Sequence, residues 1–113
     1  MKLFLIFISV IICHNNIFSN SLPPINLIYF NATQKGDSII LEWATASEIN
    51  NDYFTVERSI DIVNFIQVDT VSGATNSSNL IVYSLPDYGL FSDSVVYYYR
   101  LKQTDFDGQY FYS

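Results

Sequence analysis

Cys13 and His14 sit side by side near the N-terminus and are the only cysteine and the only histidine in the chain. Thiol catalysis, Ser-His-Asp relays and the common zinc sites each need one of these residue types. Both residues fall in a segment that reads as a removable leader, so the mature part has neither. That excludes those chemistries there, and it leaves no disulfide to brace the fold even in an oxidising compartment.

Carboxylates are the remaining catalytic candidates. Glu42, Glu48, Asp52 and Glu57 lie close together in sequence. Glycoside hydrolysis needs two such groups facing each other about 5–10 Å apart across a cleft. Alternation around Glu42 and Glu57 puts both on outward strand faces, so solvated surface charge is the expectation for the group, and no enzymatic activity is expected. Asp105-Phe106-Asp107-Gly108 has part of a calcium-loop pattern, because hard cations want several carboxylate oxygens on a tight turn. The rest of such a loop, including a later bidentate Glu, is missing, and Asp-Gly is a preferred hairpin pair. The expectation is a plain hairpin turn, with no metal and no cofactor. Asn31-Ala32-Thr33 and Asn76-Ser77-Ser78 match glycosylation acceptors, in a chain where Asn and Ser are simply common.

Aromatic residues offer more. Tyr53 and Tyr98 are expected on the outward face of one sheet. Glu57 and Arg100 are expected on that face too, as a cross-strand ion pair worth about 0.2–1 kcal/mol. Flat rings on such a face stack on sugars or pack against a partner. The competing reading is ordinary cross-strand packing, because tyrosine suits a pleated, half-buried surface.

The elements that must position these residues are β-strands. Half of the 113 residues are hydrophobic and 17% are aromatic, enough for one packed domain. Residues 1–20 read as a signal peptide: Lys2, an apolar run from Leu3 to Cys13 broken only by Ser9, then polar residues and small Ser19 and Ser21. As a helix that run would span about 16 Å, too short for a hydrocarbon core of about 30 Å. The reading is therefore an exported protein with no transmembrane segment in its mature chain. Net charge is −6, and removing Lys2 leaves only Lys35, Arg58, Arg100 and Lys102 as basic residues. Nucleic acid is not an expected partner, since phosphate backbones need clustered cations.

From residue 21 to 113 the chain alternates β-prone runs with turn residues at short intervals, the pattern of a sandwich. Ile25–Thr33 is a first strand whose inward parity, Leu27 or Tyr29, is ambiguous. Lys35-Gly36-Asp37 turns the chain. Ser38–Thr45 buries Ile39, Leu41 and Trp43; Ala46–Asn51 is a polar connection; Asp52–Ser59 buries Phe54 and Val56. Phe65–Val71 is a strand in which the spacing of Phe65, Val68 and Val71 hints at a bulge. Ser72–Asn79 is a loop, and Leu80–Leu85 a strand ended by Pro86-Asp87. Ser94–Thr104 is the strongest strand, with Tyr97, Tyr99 and Leu101 inward. Gln109–Ser113 begins a last one.

Three segments together resemble a known group: Ile39 to Asn51 (IILEWATASEINN), Tyr53 to Ser59 (YFTVERS) and Tyr98 to Gly108 (YYRLKQTDFDG). Their order and spacing resemble the fibronectin type III-like module near the C-termini of large proteins exported by the bacterial type IX secretion system. The likeness runs from Leu22-Pro23-Pro24 to Ser113. It implies a seven-stranded fibronectin III/immunoglobulin-like antiparallel sandwich with Trp43 in the core on the second strand. It also implies that Tyr99 is the corner tyrosine of the sixth. Such modules usually follow a catalytic or adhesive region and precede a sorting domain. Here the leader runs directly into the module and the last strand is cut short at Ser113, so the sequence reads as a fragment of a longer cargo or as a stand-alone module. The function implied is that of a structural spacer or interaction module on the cell surface or in the medium, or in the periplasm if no sorting domain follows. Its partners would be neighbouring domains, a surface protein or a polysaccharide. The alternative is a carbohydrate- or protein-binding module acting through Tyr53 and Tyr98.

Overall fold

Ser38–Ser59 forms one continuous strand of 22 residues, β3, on which the rest of the fold is built. The computed structural model describes residues 24–89 and 91–113, together with the backbone of residues 7–10. In chain order its strands are β1 (Phe7–Val10), β2 (Ile25–Lys35), β3, β4 (Ile66–Ser77), β5 (Ile81–Asp87), β6 (Val96–Asp105) and β7 (Tyr110–Tyr112). The all-β class expected from the sequence is what the structure has. Among the described residues no helix is long and apolar enough to cross a membrane. Most of the leader and the Leu22-Pro23 start lie outside the described residues.

The first half of β3 pairs antiparallel with β2 on one side and β5 on the other. Its second half pairs antiparallel with β4 and β6. The change of partners falls at residues 48–53, where the pairing slips and Asn50 adopts φ 55°. β3 thus belongs to two leaves of one curled sheet. The leaves meet where Trp43 of the first half packs edge-on to Phe54 of the second, ring centroids 5.5 Å apart.

The polar connection expected at Ala46–Asn51 is therefore strand. Glu48 and Asn51 are buried in the fold, while Asn50 stays exposed, a division that a one-dimensional pattern does not reveal. β4 likewise runs through most of the expected Ser72–Asn79 loop, because Ser72 and Thr75 pair with Tyr53 and Asn51. Pro86 and Asp87 do not end β5; they continue opposite Ile40 and Ile39. A proline is tolerated there because, among the described residues, β5 has β3 as its one ladder partner.

Alternation decides what is buried. Ile39, Leu41, Trp43, Phe54, Val56, Tyr99 and Leu101 are all fully inaccessible. Trp43 stacks on Tyr83 with 5.5 Å between centroids and 15° between planes, and Phe30 meets it edge-on. The ambiguous parity of β2 has a local cause. Register slips between Asn26 and Tyr29 turn the strand over, so Ile25 faces the core before them, Leu27 between them, and Phe30 and Ala32 after. A further slip lies between Val56 and Glu57, whose partners are Asp69 and Gln67. Val68 is the extra residue there, and it packs against the core together with Val71.

Candidate functional site

The outer face of β4, β3, β6 and β7 brings the aromatic and basic residues together. Strand pairing lays them out in rungs. Tyr53, Thr104 and Tyr110 share one rung; Thr55, Lys102 and Tyr112 the next; then Glu57 with Arg100, and Ser59 with Tyr98. Residues in one rung point to the same side of the sheet, and successive rungs two residues apart stay on that side.

Arg100 is the centre of this face. Its Nε donates to Glu57 Oε1 at 2.6 Å and its Nη2 to the Tyr112 hydroxyl at 3.2 Å. Its guanidinium carbon lies 3.9 Å from the ring centroid of Phe65 and 4.0 Å from that of Tyr112, so the cation is held between two rings. Lys102 Nζ lies 4.2 Å from the centre of the Tyr110 ring. Tyr110 and Tyr112 touch edge to face at 5.7 Å. Tyr53 is 36% exposed and Tyr110 55%. Thr104, between them in register, is buried, and its hydroxyl has no hydrogen-bond partner among the described residues.

Of the expected face, Glu57 and Arg100 are brought together. Tyr53 and Tyr98 are not. They share a side of the sheet, but Tyr98 pairs with Ser59, six residues along β3 from Tyr53. At about 3.3 Å per residue that separates them by about 20 Å, with the Glu57–Arg100 pair between. Phe65, Lys102, Tyr110 and Tyr112 complete the face, a place that the sequence pattern does not assign to them. The available signal was the alternation Tyr110-Phe111-Tyr112; what was lacking was the register of β7 on β6.

The carboxylates divide differently from expectation. Glu42 is exposed and accepts from the Tyr29 hydroxyl at 2.8 Å. Glu48, expected on the surface, is 1% exposed. Its Oε1 accepts from Asn51 Nδ2 at 2.5 Å and from the Ala74 amide at 3.1 Å. Its Oε2 accepts from the Tyr83 hydroxyl at 2.5 Å and the Thr45 hydroxyl at 2.9 Å. Burial pushes the pKa of Glu48 up, but these four bonds outweigh it and hold the carboxyl below the usual glutamate range. Gln103 Nε2 donates to Asn51 Oδ1 at 3.1 Å, extending the network to β6. Glu48 is thus a structural anion at the bend of β3.

Asp105 accepts from Gln103 Nε2 at 2.5 Å, and Asp107 caps the Gln109 amide at 3.0 Å. The Gly108 amide closes the turn on the Asp105 carbonyl at 2.9 Å, with Gly108 at φ 88°. Among the described residues no group of three or more His, Cys, Asp or Glu side chains is placed to hold a metal ion.

Comparison with protein-family models, with curated proteins and with solved structures finds no match to this chain.

Proposed function

We propose that this chain is a non-catalytic spacer and interaction module of an exported, cell-surface or extracellular protein, built on the fibronectin type III plan. Its contact surface would be the aromatic–cation face centred on Arg100. The strand order supports the plan. Counting from β2, and counting the two halves of β3 separately, Trp43 falls on the second strand and Tyr99 on the sixth, as the resemblance implies. Export rests on the leader-like residues 1–20.

The observation that carries the contact surface is the stacking of Phe65, Arg100 and Tyr112 beside the exposed rings of Tyr110 and Tyr53. Rings held in place by bound cations lose little freedom when they meet a ligand, which is what preorganised contact surfaces exploit. The same rings favour a second reading, a carbohydrate-binding module, because flat exposed aromatics stack on sugar faces. Titration of the protein against polysaccharide and protein fractions of its native cell envelope tests both. A Tyr110→Ala/Tyr112→Ala variant is expected to lose binding while a Tyr29→Phe variant on the other leaf keeps it. Saturable binding to purified polysaccharide selects the carbohydrate reading. Binding that survives loss of both tyrosines removes the face from the proposal.

A further inference from the structure

The edge of β6 that faces away from β3 carries two strands laid end to end. β7 runs antiparallel along Lys102 to Thr104, and the Ser113 amide adds a bond to the Leu101 carbonyl at 2.9 Å. Beyond it, Phe7–Val10 runs parallel along Val96 to Tyr99, with Phe7 opposite Val96 and Val10 opposite Tyr99. The acceptor stretch from Val95 to Tyr99 contains no charge, proline or glycine, and where it pairs with β3, at Tyr98 and Tyr99, the ladder has no register slip. It therefore lacks the devices that normally blunt a sheet edge. Tyr97 and Tyr99 on its inner side are core residues, and Phe91 packs edge-on to Tyr97 at 5.0 Å. The strand that occupies this edge pairs with residues 89 positions away in sequence and runs parallel, so no hairpin turn delivers it. It is an independent segment added to a ready edge.

We propose that the β6 edge from Val96 to Tyr99 is a strand-acceptor site for one uncharged, β-prone segment of another polypeptide, lying parallel to β6. Phe7–Val10 covers the site in the unprocessed chain. The inference rests on the export reading for one point, the departure of residues 7–10 with the leader. The incoming strand supplies main-chain hydrogen bonds along the whole edge, and its alternate side chains meet the Phe91–Tyr97 side of the sheet. A charge at one of those positions would be buried unpaired, so charged segments are rejected.

The test uses the full chain with a protease site inserted between residues 18 and 22, cut after folding. A labelled peptide of residues 3–12, flanked by lysines for solubility, is then added. The expected result is that the peptide replaces the cut piece in native mass spectra and protects the amides of Val96–Tyr99 from hydrogen exchange. An Ile8→Asp version of the peptide should bind about tenfold or more weakly. If release of the piece also loosens the core, recovery of Trp43 fluorescence on adding the peptide supports the site equally. Three results overturn it. One is departure of the cut piece with no peptide uptake and no change at Val96–Tyr99. Another is a lost Trp43 signal that the peptide does not restore. The third is a dimer by sedimentation that forms instead of peptide uptake, which would make a second copy the occupant. Native protein whose intact mass retains residues 1–20 would count against the export reading alone, whatever the peptide does.

Discussion

The Tyr99 hydroxyl donates to Asp87 Oδ2 at 2.8 Å, and the same carboxylate oxygen pairs with the Arg58 guanidinium. Asp87 is the last residue of β5 in the first leaf; Arg58 and Tyr99 belong to β3 and β6 of the second. The three side chains clasp the leaves at one end of the core, as Glu48 ties Tyr83 of β5 to the bend of β3 at the other. Two buried carboxylates thus bracket the cluster around Trp43.

Loss of the Asp87 charge should open this clasp. Asp87→Asn leaves the mostly buried Arg58 without its counter-ion, at a cost of about 3–5 kcal/mol. Tyr99→Phe removes one bond to a charged acceptor, costing about 1.5–3 kcal/mol. Urea unfolding that ranks the two the other way would contradict the clasp.

Burial, followed by the neighbouring Asp87 carboxylate, pushes the Tyr99 hydroxyl well above the usual tyrosine range. A group whose folded pKa is raised gives stability that is complete below its unfolded pKa, about 10 for tyrosine. That stability drains away as pH rises beyond that point. Wild type should therefore lose stability between pH 9 and 11 faster than Tyr99→Phe does. Equal slopes would show that Tyr99 ionises as freely folded as unfolded. Tyr83, also raised by burial and then by Glu48, and Tyr29, raised by its bond to Glu42, supply slope that remains in the variant.

Glu48 should act at the acid end. Its folded pKa is depressed, so its contribution is present above its unfolded pKa, about 4.3, and is lost as pH falls below that. Glu48→Gln keeps the shape and can donate to the Thr45 or Tyr83 hydroxyl, whereas Glu48→Leu leaves Asn51 and the Ala74 amide unsatisfied. The Leu variant should be less stable than the Gln variant by about 1–3 kcal/mol. Both should show a flatter acid unfolding profile than wild type, read by Trp43 fluorescence against pH.

Trp43→Ala removes the largest fully buried side chain, along with its contacts to Phe30, Phe54 and Tyr83. The expected cost is about 3–5 kcal/mol, most of the stability of a domain this size. A melting temperature that barely moves would mean that the two leaves are not held together through Trp43.

Ile62 sits in the turn after β3 at φ 67° and is half-exposed. A β-branched residue there is strained by about 1–2 kcal/mol. The turn persists because Asp61 Oδ1 accepts the Val63 and Asn64 amides at 3.0 and 2.7 Å. Ile62→Asn should raise stability by about 0.5–1 kcal/mol, measured as a rise in the urea midpoint; a fall would place the strain elsewhere.

Local patterning along the chain is enough for the all-β class, the turns at Gly36 and Gly108, and the inward side of the strands carrying Trp43, Val56 and Tyr99. All of these follow from period-two alternation and turn chemistry, which are local. It did not determine which polar residues go inside. Glu48, Asn51 and Asp87 look like loop or surface residues until Tyr83, Ala74, Gln103, Arg58 and Tyr99 arrive from positions 12 to 52 residues away and satisfy them. Burial of a charge is decided by such partners and leaves no mark on its neighbours in sequence. Nor did alternation give the spacing along a face. Tyr53 and Tyr98 have the right parity, but register sets them at opposite ends of the sheet and puts Phe65 and Tyr112 against Arg100 instead. Register comes from pairing between distant strands, so only the tertiary structure decides it.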